Sequence, residues 1–239
     1  MLRAIFTASV LTISTALAQN PDPAKIIEGA RVAATLQQTD LSGSLSKNGK
    51  KTPLQLFLRG KDIQFALELG GPTQRFHLRL GDGEYNLFDV DPAGKTTKFP
   101  DAKLVQPIAG TDVTYEDLSF QFFYWPGAIY VGIEDVGGQS CYKIRLNKPA
   151  GSGGQYEVVY VWVHTTQGAF MKVCGFNKQG RLLKGFVVED IMSIGNGVYT
   201  LRKMKISTYD PASDPKDPRT LSYTNLLFEK PTAVTPGKR

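Results

Sequence analysis

The chain has 239 residues, a formal net charge of +6, 41% hydrophobic residues, and only two cysteines and two histidines. Its apolar share suits a globular protein rather than a disordered one, and its length suffices for one domain of moderate size. The basic residues are scattered in pairs such as Lys50-Lys51 and Arg202-Lys203; with no dense run they argue against a nucleic-acid partner and fit an encounter with anionic lipid headgroups or acidic partners.

The N-terminus reads as a secretory signal peptide over residues 1–18. Arg3 supplies the positive start, Ala4 to Thr15 is apolar, and Ala16-Leu17-Ala18 is a small-x-small cleavage site. The apolar run is too short to make a persuasive membrane span. No cysteine follows the cleavage site, so the chain carries no mark for lipid attachment at its own N-terminus. The expected organisation is a signal peptide, a single domain over 19–230, and a basic tail over 231–239.

Asp22-Pro23 opens a helix, since Asp is a favoured N-cap and Pro suits the first helical position. Ile26, Ile27, Ala30, Ala33 and Ala34 form its apolar stripe, and it should end near Gln38. From Asp40 the period switches to two. Leu54, Leu56 and Leu58, then Ile63, Phe65, Leu67 and Leu69, then Phe76, Leu78 and Leu80 each alternate with polar residues. Asn48-Gly49, Gly60-Lys61, Gly70-Gly71-Pro72 and Gly81-Asp82-Gly83 supply the turns of an up-and-down antiparallel meander that ends on Glu84–Val90.

Gly110 to Gly127, GTDVTYEDLSFQFFYWPG, then interrupts the strands. Thr114 and Asp117 have the spacing of a capping box, Tyr115, Leu118 and Phe122 recur at helical spacing, and Trp125-Pro126-Gly127 ends the element. Two roles are open to it: a connector whose aromatics plug the end of a β core, or a lid over an apolar cavity.

Strand patterns resume at Tyr130–Val136, Ser140–Leu146, Tyr156–His164, Ala169–Phe176, Arg181–Asp190, Val198–Tyr209 and Thr220–Phe228, with hairpin turns at Asn177–Gly180 and Asn196-Gly197. The expected fold is mainly β: a strongly curved antiparallel sheet forming a half-open barrel, with an N-terminal helix and a helical lid or connector. Cys141 and Cys174 fall two strands apart in such a meander, about 10 Å at ordinary strand spacing, so two buried free thiols are expected.

Assembled chemistry is missing from the sequence. His77 and His164 have no metal-ligand partners at short spacing, and no nucleophile elbow, phosphate loop or dinucleotide fingerprint occurs. Asp112, Glu116 and Asp117 have the composition of a glycosidase pair, but capping plus a solvated helix face accounts for them better. No catalytic residue, metal site or cofactor is expected.

Gly110-Thr111-Asp112, Tyr115-Glu116-Asp117-Leu118, and Trp162 with the hairpin through Gly180 resemble the outer-membrane lipoprotein-sorting, LolA-like family of periplasmic proteins. The resemblance implies a half-open barrel holding acyl chains of lipoproteins or other lipids, a periplasmic location, an inner-membrane donor, an outer-membrane acceptor and a monomeric carrier without covalent chemistry. It implies a cavity lined by Leu56, Leu58, Phe65, Leu67, Phe76 and Leu78 from the first half. Tyr160, Trp162, Phe122 and Trp125 would join them, with Gly110, Asp112, Tyr115, Asp117 and Leu118 as the lid motif. Arg59 is the candidate for the strand arginine that ties lid to barrel in the best-known carriers. A non-catalytic envelope binding or sensor module, using the same barrel to recognise a protein or glycan, is the alternative.

Overall fold

The structure, a computed structural model, describes residues 20–35, 40–80, 85–195 and 198–231. Helix α1 spans Pro23–Thr35, and Asp22 caps it by accepting from the Ala24 N–H at 3.0 Å. The first meander follows as β1 Asp40–Lys47, β2 Lys50–Arg59, β3 Asp62–Leu67, β4 Gln74–Leu80, β5 Tyr85–Val90 and the short β6 Thr96–Lys98. The connector holds α2 Asp101–Leu104, α3 Tyr115–Ser119 and a 3-10 turn over Gln121–Tyr124. The second meander is β7 Ile129–Val136, β8 Gln139–Asn147, β9 Val158–His164, β10 Phe170–Phe176, β11 Leu182–Gly195, β12 Val198–Tyr209 and β13 Thr220–Phe228.

All thirteen strands form one antiparallel sheet in the order β6-β5-β4-β3-β2-β1-β13-β12-β11-β10-β9-β8-β7. Every neighbour is joined by a hairpin or short loop except β1 and β13, which fuse the two meanders at the sheet's centre, with Gly43 opposite Phe228. Gly43 is needed there, because a Cβ would stand 2.3 Å from the Leu227 carbonyl oxygen. The sheet does not close, since β6 and β7 remain as its two edges. The result is an open half-barrel, as expected from a sheet of this size.

Alternation places one set of side chains inside. Leu54, Leu58, Ile63, Phe65, Leu67, Phe76, Leu78 and Leu80 are buried, while Gln55, Arg59, Arg75 and Arg79 lie on the outer face or at its rim. The first meander stops short of one expected residue: β3 ends at Leu67, and Leu69, beside the Gly70-Gly71-Pro72 turn, is 41% exposed. The second half exceeds expectation, because β11 runs on to Gly195. Beyond Val187 it loses β10, and β12 has no β13 partner before Lys203. Ile191–Gly195 and Val198–Leu201 therefore pair only with each other, forming a two-stranded arm that projects past the sheet.

The connector has a defined route. It leaves edge strand β6, crosses the concave side, and enters the opposite edge strand β7. Its capping box is present: Thr114 Oγ1 accepts from the Asp117 N–H at 3.2 Å, and Asp117 Oδ2 accepts from the Thr114 N–H at 2.8 Å. Phe120, in the left-handed region at φ 47°, ends α3 and turns the chain into the 3-10 segment. The periodic run through Phe122 is thus two short elements at an angle rather than one helix.

The signal peptide, the helix end at Gln38, the Gly81-Asp82-Gly83 turn with Glu84, the Asn196-Gly197 turn and tail residues 232–239 lie outside the described residues, as do the side chains of Ala33 and Ala34. Cys141 and Cys174 are buried and free, on β8 and β10 with β9 between them. No helix among the described residues is long and apolar enough to cross a membrane.

Candidate functional site

Position along the strands divides the concave interior into a filled end and a hollow end. At the hollow end a cavity of about 720 Å³ lies between the sheet, α1 and the connector. That volume is within the usual range of ligand sites, about 300–1,000 Å³. Leu41 from β1, Leu56 and Leu58 from β2, Ile63 and Phe65 from β3, and Leu78 from β4 form one wall. Val188 and Ile191 from β11, Tyr199 and Leu201 from β12, and Leu226 and Phe228 from β13 form the other. Leu118, Phe120, Phe123 and Tyr124 of the connector and Ala30 and Arg31 of α1 complete it. Ile191 is 45% and Tyr199 60% exposed, so the cavity opens to solvent along the projecting arm.

The other end is packed solid. Leu67, Phe76 and Phe122 are fully buried, with Phe76 stacked on Phe65 at 4.5 Å and edge-on to Tyr115 at 5.5 Å. Here the connector is pinned by buried charge. Asp112 accepts from the hydroxyls of Thr208 at 2.8 Å and Thr224 at 2.9 Å and from that of Ser222, and pairs with the Lys47 ammonium at 3.1 Å. Burial alone would raise its carboxyl; these hydroxyls and Lys47 outweigh burial and hold it below the ordinary range. Lys184 donates to the Asp112 carbonyl and to Thr208 Oγ1 at 3.0 Å, and stands 3.8 Å from the Asp117 carboxylate.

Asp117 also accepts from the Tyr156 hydroxyl. Burial pushes its carboxyl up and the Lys184 ammonium down, each against the attraction of the other. Glu116 accepts from the Gln155 N–H at 2.8 Å and from Gln121 Nε2 at 3.0 Å. Burial raises it from 4.5 to about 7, with Asp117 adding to the rise against these donors. Glu116 and Asp117 are thus buried, which overturns the solvated helix face expected of them. Their oxygens are taken by protein donors and neither lines the cavity, so they do not make a glycosidase pair. Capping by Asp117 stands.

The expected site residues separate accordingly. Leu56, Leu58, Phe65 and Leu78 line the cavity, as does Leu118. Leu67, Phe76, Phe122 and Trp125 belong to the packed end. Tyr160 and Trp162 are on the convex face: β9 turns Val159, Val161 and Val163 inward, and period two sends Tyr160 and Trp162 out to pack with Cys141 and Cys174. Trp162 Nε1 donates to Glu134 at 2.8 Å, and Lys143 and Lys172 approach its ring. Gly110 makes a tight turn at φ 73°, and Tyr115 donates to Gln74 at 2.5 Å. Arg59 pairs with Asp40 at the far ends of β1 and β2 rather than with the connector; Lys184 ties connector to sheet instead. The helical spacing through Phe122 does not single out Phe120, Phe123 and Tyr124, because their facing depends on the break at Phe120.

A family model described as "uncharacterized protein" matches residues 78–228, and the chain belongs to that family. No curated protein matches the sequence. A putative outer membrane lipoprotein-sorting protein domain from Vibrio parahaemolyticus is 15% identical with a TM-score of 0.65, over 87% of this chain and 90% of its own. A LolA superfamily protein from Nitrosomonas europaea is also 15% identical, with a TM-score of 0.62 over 87% and 91%. A DUF1329 family protein from Desulfovibrio piger is 16% identical, with a TM-score of 0.62 over 87% and 92%. At such identities the likeness is one of fold, and the fold is LolA-like.

Proposed function

We propose that this protein is a periplasmic carrier that holds the acyl chains of a lipid or lipoprotein in the concave cavity and delivers them to the outer membrane. The observation that carries this is the open cavity of about 720 Å³, walled on both sides by aliphatic and aromatic side chains of the half-barrel. Leu56, Leu58, Phe65 and Leu78 hold the chain, with Leu118 and Phe120 of the connector at the floor of the cavity. Affinity comes from burial, about 0.8 kcal/mol per methylene removed from water. The carrier does no covalent chemistry. Cargo passes from an inner-membrane donor to an outer-membrane acceptor because each binds the loaded and empty forms unequally.

The test is native mass spectrometry of gently purified protein with lipid extraction, alongside titration with acylated peptides. Bound lipid and stabilisation by the peptides are expected. A consistently empty barrel that no acyl compound stabilises would overturn the carrier and leave an envelope binding module.

A further inference from the structure

We propose that the convex face of the sheet between β8 and β13 is a docking surface for an acidic segment of a protein partner. The surface itself stands on the sheet's register; only the choice of partner rests on the carrier reading. Lys143 on β8 lies opposite Trp162 on β9, Trp162 opposite Lys172 on β10, Lys172 opposite Val187 on β11, and Val187 opposite Lys205 on β12. Residues directly opposite each other share a face. Trp162 is on the convex one, so these five side chains form a single row across the sheet. Lysines alternate with apolar residues along it, and successive lysines are two strands, about 10 Å, apart.

Each ammonium lies over an aromatic ring. Lys143 is 5.0 Å and Lys172 4.6 Å from the Trp162 centroid, and Lys205 is 4.5 Å from that of Tyr223. A ring quadrupole holds a cation without neutralising it. Carboxylates would neutralise it, and on this face they are already engaged. Glu134 takes Lys143 at 2.8 Å and the Trp162 indole, and Glu189 takes Lys203 at 2.7 Å. Among the described residues, Lys172 and Lys205 form no ion pair. In the first meander, by contrast, the outer cations Arg59 and Arg79 are paired with Asp40 and Asp62. Val187 is 37% and Tyr223 49% exposed, which leaves uncovered apolar surface among the lysines.

Cations interleaved with exposed apolar side chains complement a segment that alternates carboxylates with apolar residues. An anionic bilayer carries the same charge. The row, however, is on the opposite side of the sheet from the cavity, so a bilayer laid against it would sit away from the chamber that exchanges cargo. A protein docked there leaves the mouth clear.

The experiment is fluorescence anisotropy of labelled oligoglutamate with the purified protein, alongside co-sedimentation with phosphatidylglycerol vesicles. Lys172→Gln/Lys205→Gln is compared with Lys50→Gln/Lys98→Gln, which removes the same charge from exposed positions in the first meander. The native protein should bind oligoglutamate, and the row variant should bind it about 10-fold more weakly, as two exposed ion pairs together can supply. The control variant and Lys172→Arg/Lys205→Arg should bind as the native protein does. A row variant that binds no more weakly than the control would overturn the surface and leave only net charge. Vesicle binding that depends on Lys172 and Lys205, without oligoglutamate binding, would overturn the protein partner in favour of a membrane. Binding of neither probe would overturn the proposal outright. Acyl-chain uptake by the same samples separates this from the carrier: a native protein that takes up none would overturn the carrier, while oligoglutamate binding lost in the row variant alone would still uphold the surface.

Discussion

Leu56 and Leu67 occupy the same face of neighbouring strands, yet a glutamate at each should have opposite consequences. Leu67 is fully buried at the packed end, beside Leu54. Leu67→Glu forfeits about 1.5–3 kcal/mol of apolar burial. At pH 7 the new carboxyl must also stay protonated, which costs about 3.7 kcal/mol at 1.36 kcal/mol per pH unit above its ordinary value near 4.3. Together these approach the whole stability of a typical domain, about 5–15 kcal/mol. Leu56 lies two residues further along β2, half-buried on the cavity wall opposite Phe65. A glutamate there can stay ionised in the water of the open cavity, and should cost about 1–2 kcal/mol.

Urea unfolding followed by circular dichroism should therefore show Leu67→Glu unfolded or nearly so and Leu56→Glu folded. Acyl-chain uptake, read by native mass spectrometry, should be lost in Leu56→Glu despite its fold. Equal destabilisation by the two substitutions would refute the division into filled and hollow ends. A folded Leu56→Glu that binds acyl chains normally would remove this wall from the binding site.

Asp112→Ala leaves Lys47 and three hydroxyls without their acceptor, and urea titration should register a loss of about 3–5 kcal/mol. Gly175→Ala should cost about 2–4 kcal/mol in the same assay, because its Cβ would stand 2.4 Å from the Tyr156 ring that holds Asp117. Glu116, raised from 4.5 to about 7, keeps its proton in the folded state after the unfolded chain has released it. Its contribution is full below pH 4.5 and is lost as pH rises through 7, up to about 3 kcal/mol, and Glu116→Gln should flatten stability across that window. Cys141 and Cys174 should react with a thiol reagent only on unfolding, and a reductant should leave the melting temperature unchanged.

Local rules reached most of the strands because each carries its own period and its own turns: Asn48-Gly49, both at positive φ, fixes the β1–β2 hairpin from within the sequence. They also gave the capping box, whose partners are three residues apart. They did not reach the pairing of β1 with β13, which decides that two meanders make one sheet. Nor did they reach Lys47, Thr208, Ser222 and Thr224 around Asp112, since hydroxyls on strands carry no mark of what they will bond. Tyr160 and Trp162 went wrong for a different reason. Their strand is apolar on both sides, so period two gives two faces without saying which is inside; the cluster with Cys141 and Cys174 decides it. Within Leu54 to Leu78, alternation named the inner face correctly but carried no information on where along the strands the filling stops.

That stopping point determines how the connector can act. A lid must leave at modest cost, whereas detaching this segment would take Asp112 from hydroxyls on β12 and β13 and from Lys47 on β1, and would part Asp117 from Lys184 on β11. Breaking even one buried, hydrogen-bonded charge pair costs about 3–5 kcal/mol, so releasing both would consume much of the domain's stability. The connector is therefore a fixed plug at one end of the half-barrel, and its inner aromatics are the floor of the cavity. Exchange with solvent is left to the opposite end, where Ile191 and Tyr199 on the projecting arm are already exposed. On the proposed carrier role, an acyl chain entering there would meet Phe120 and Phe123 at the bottom without the plug having to move.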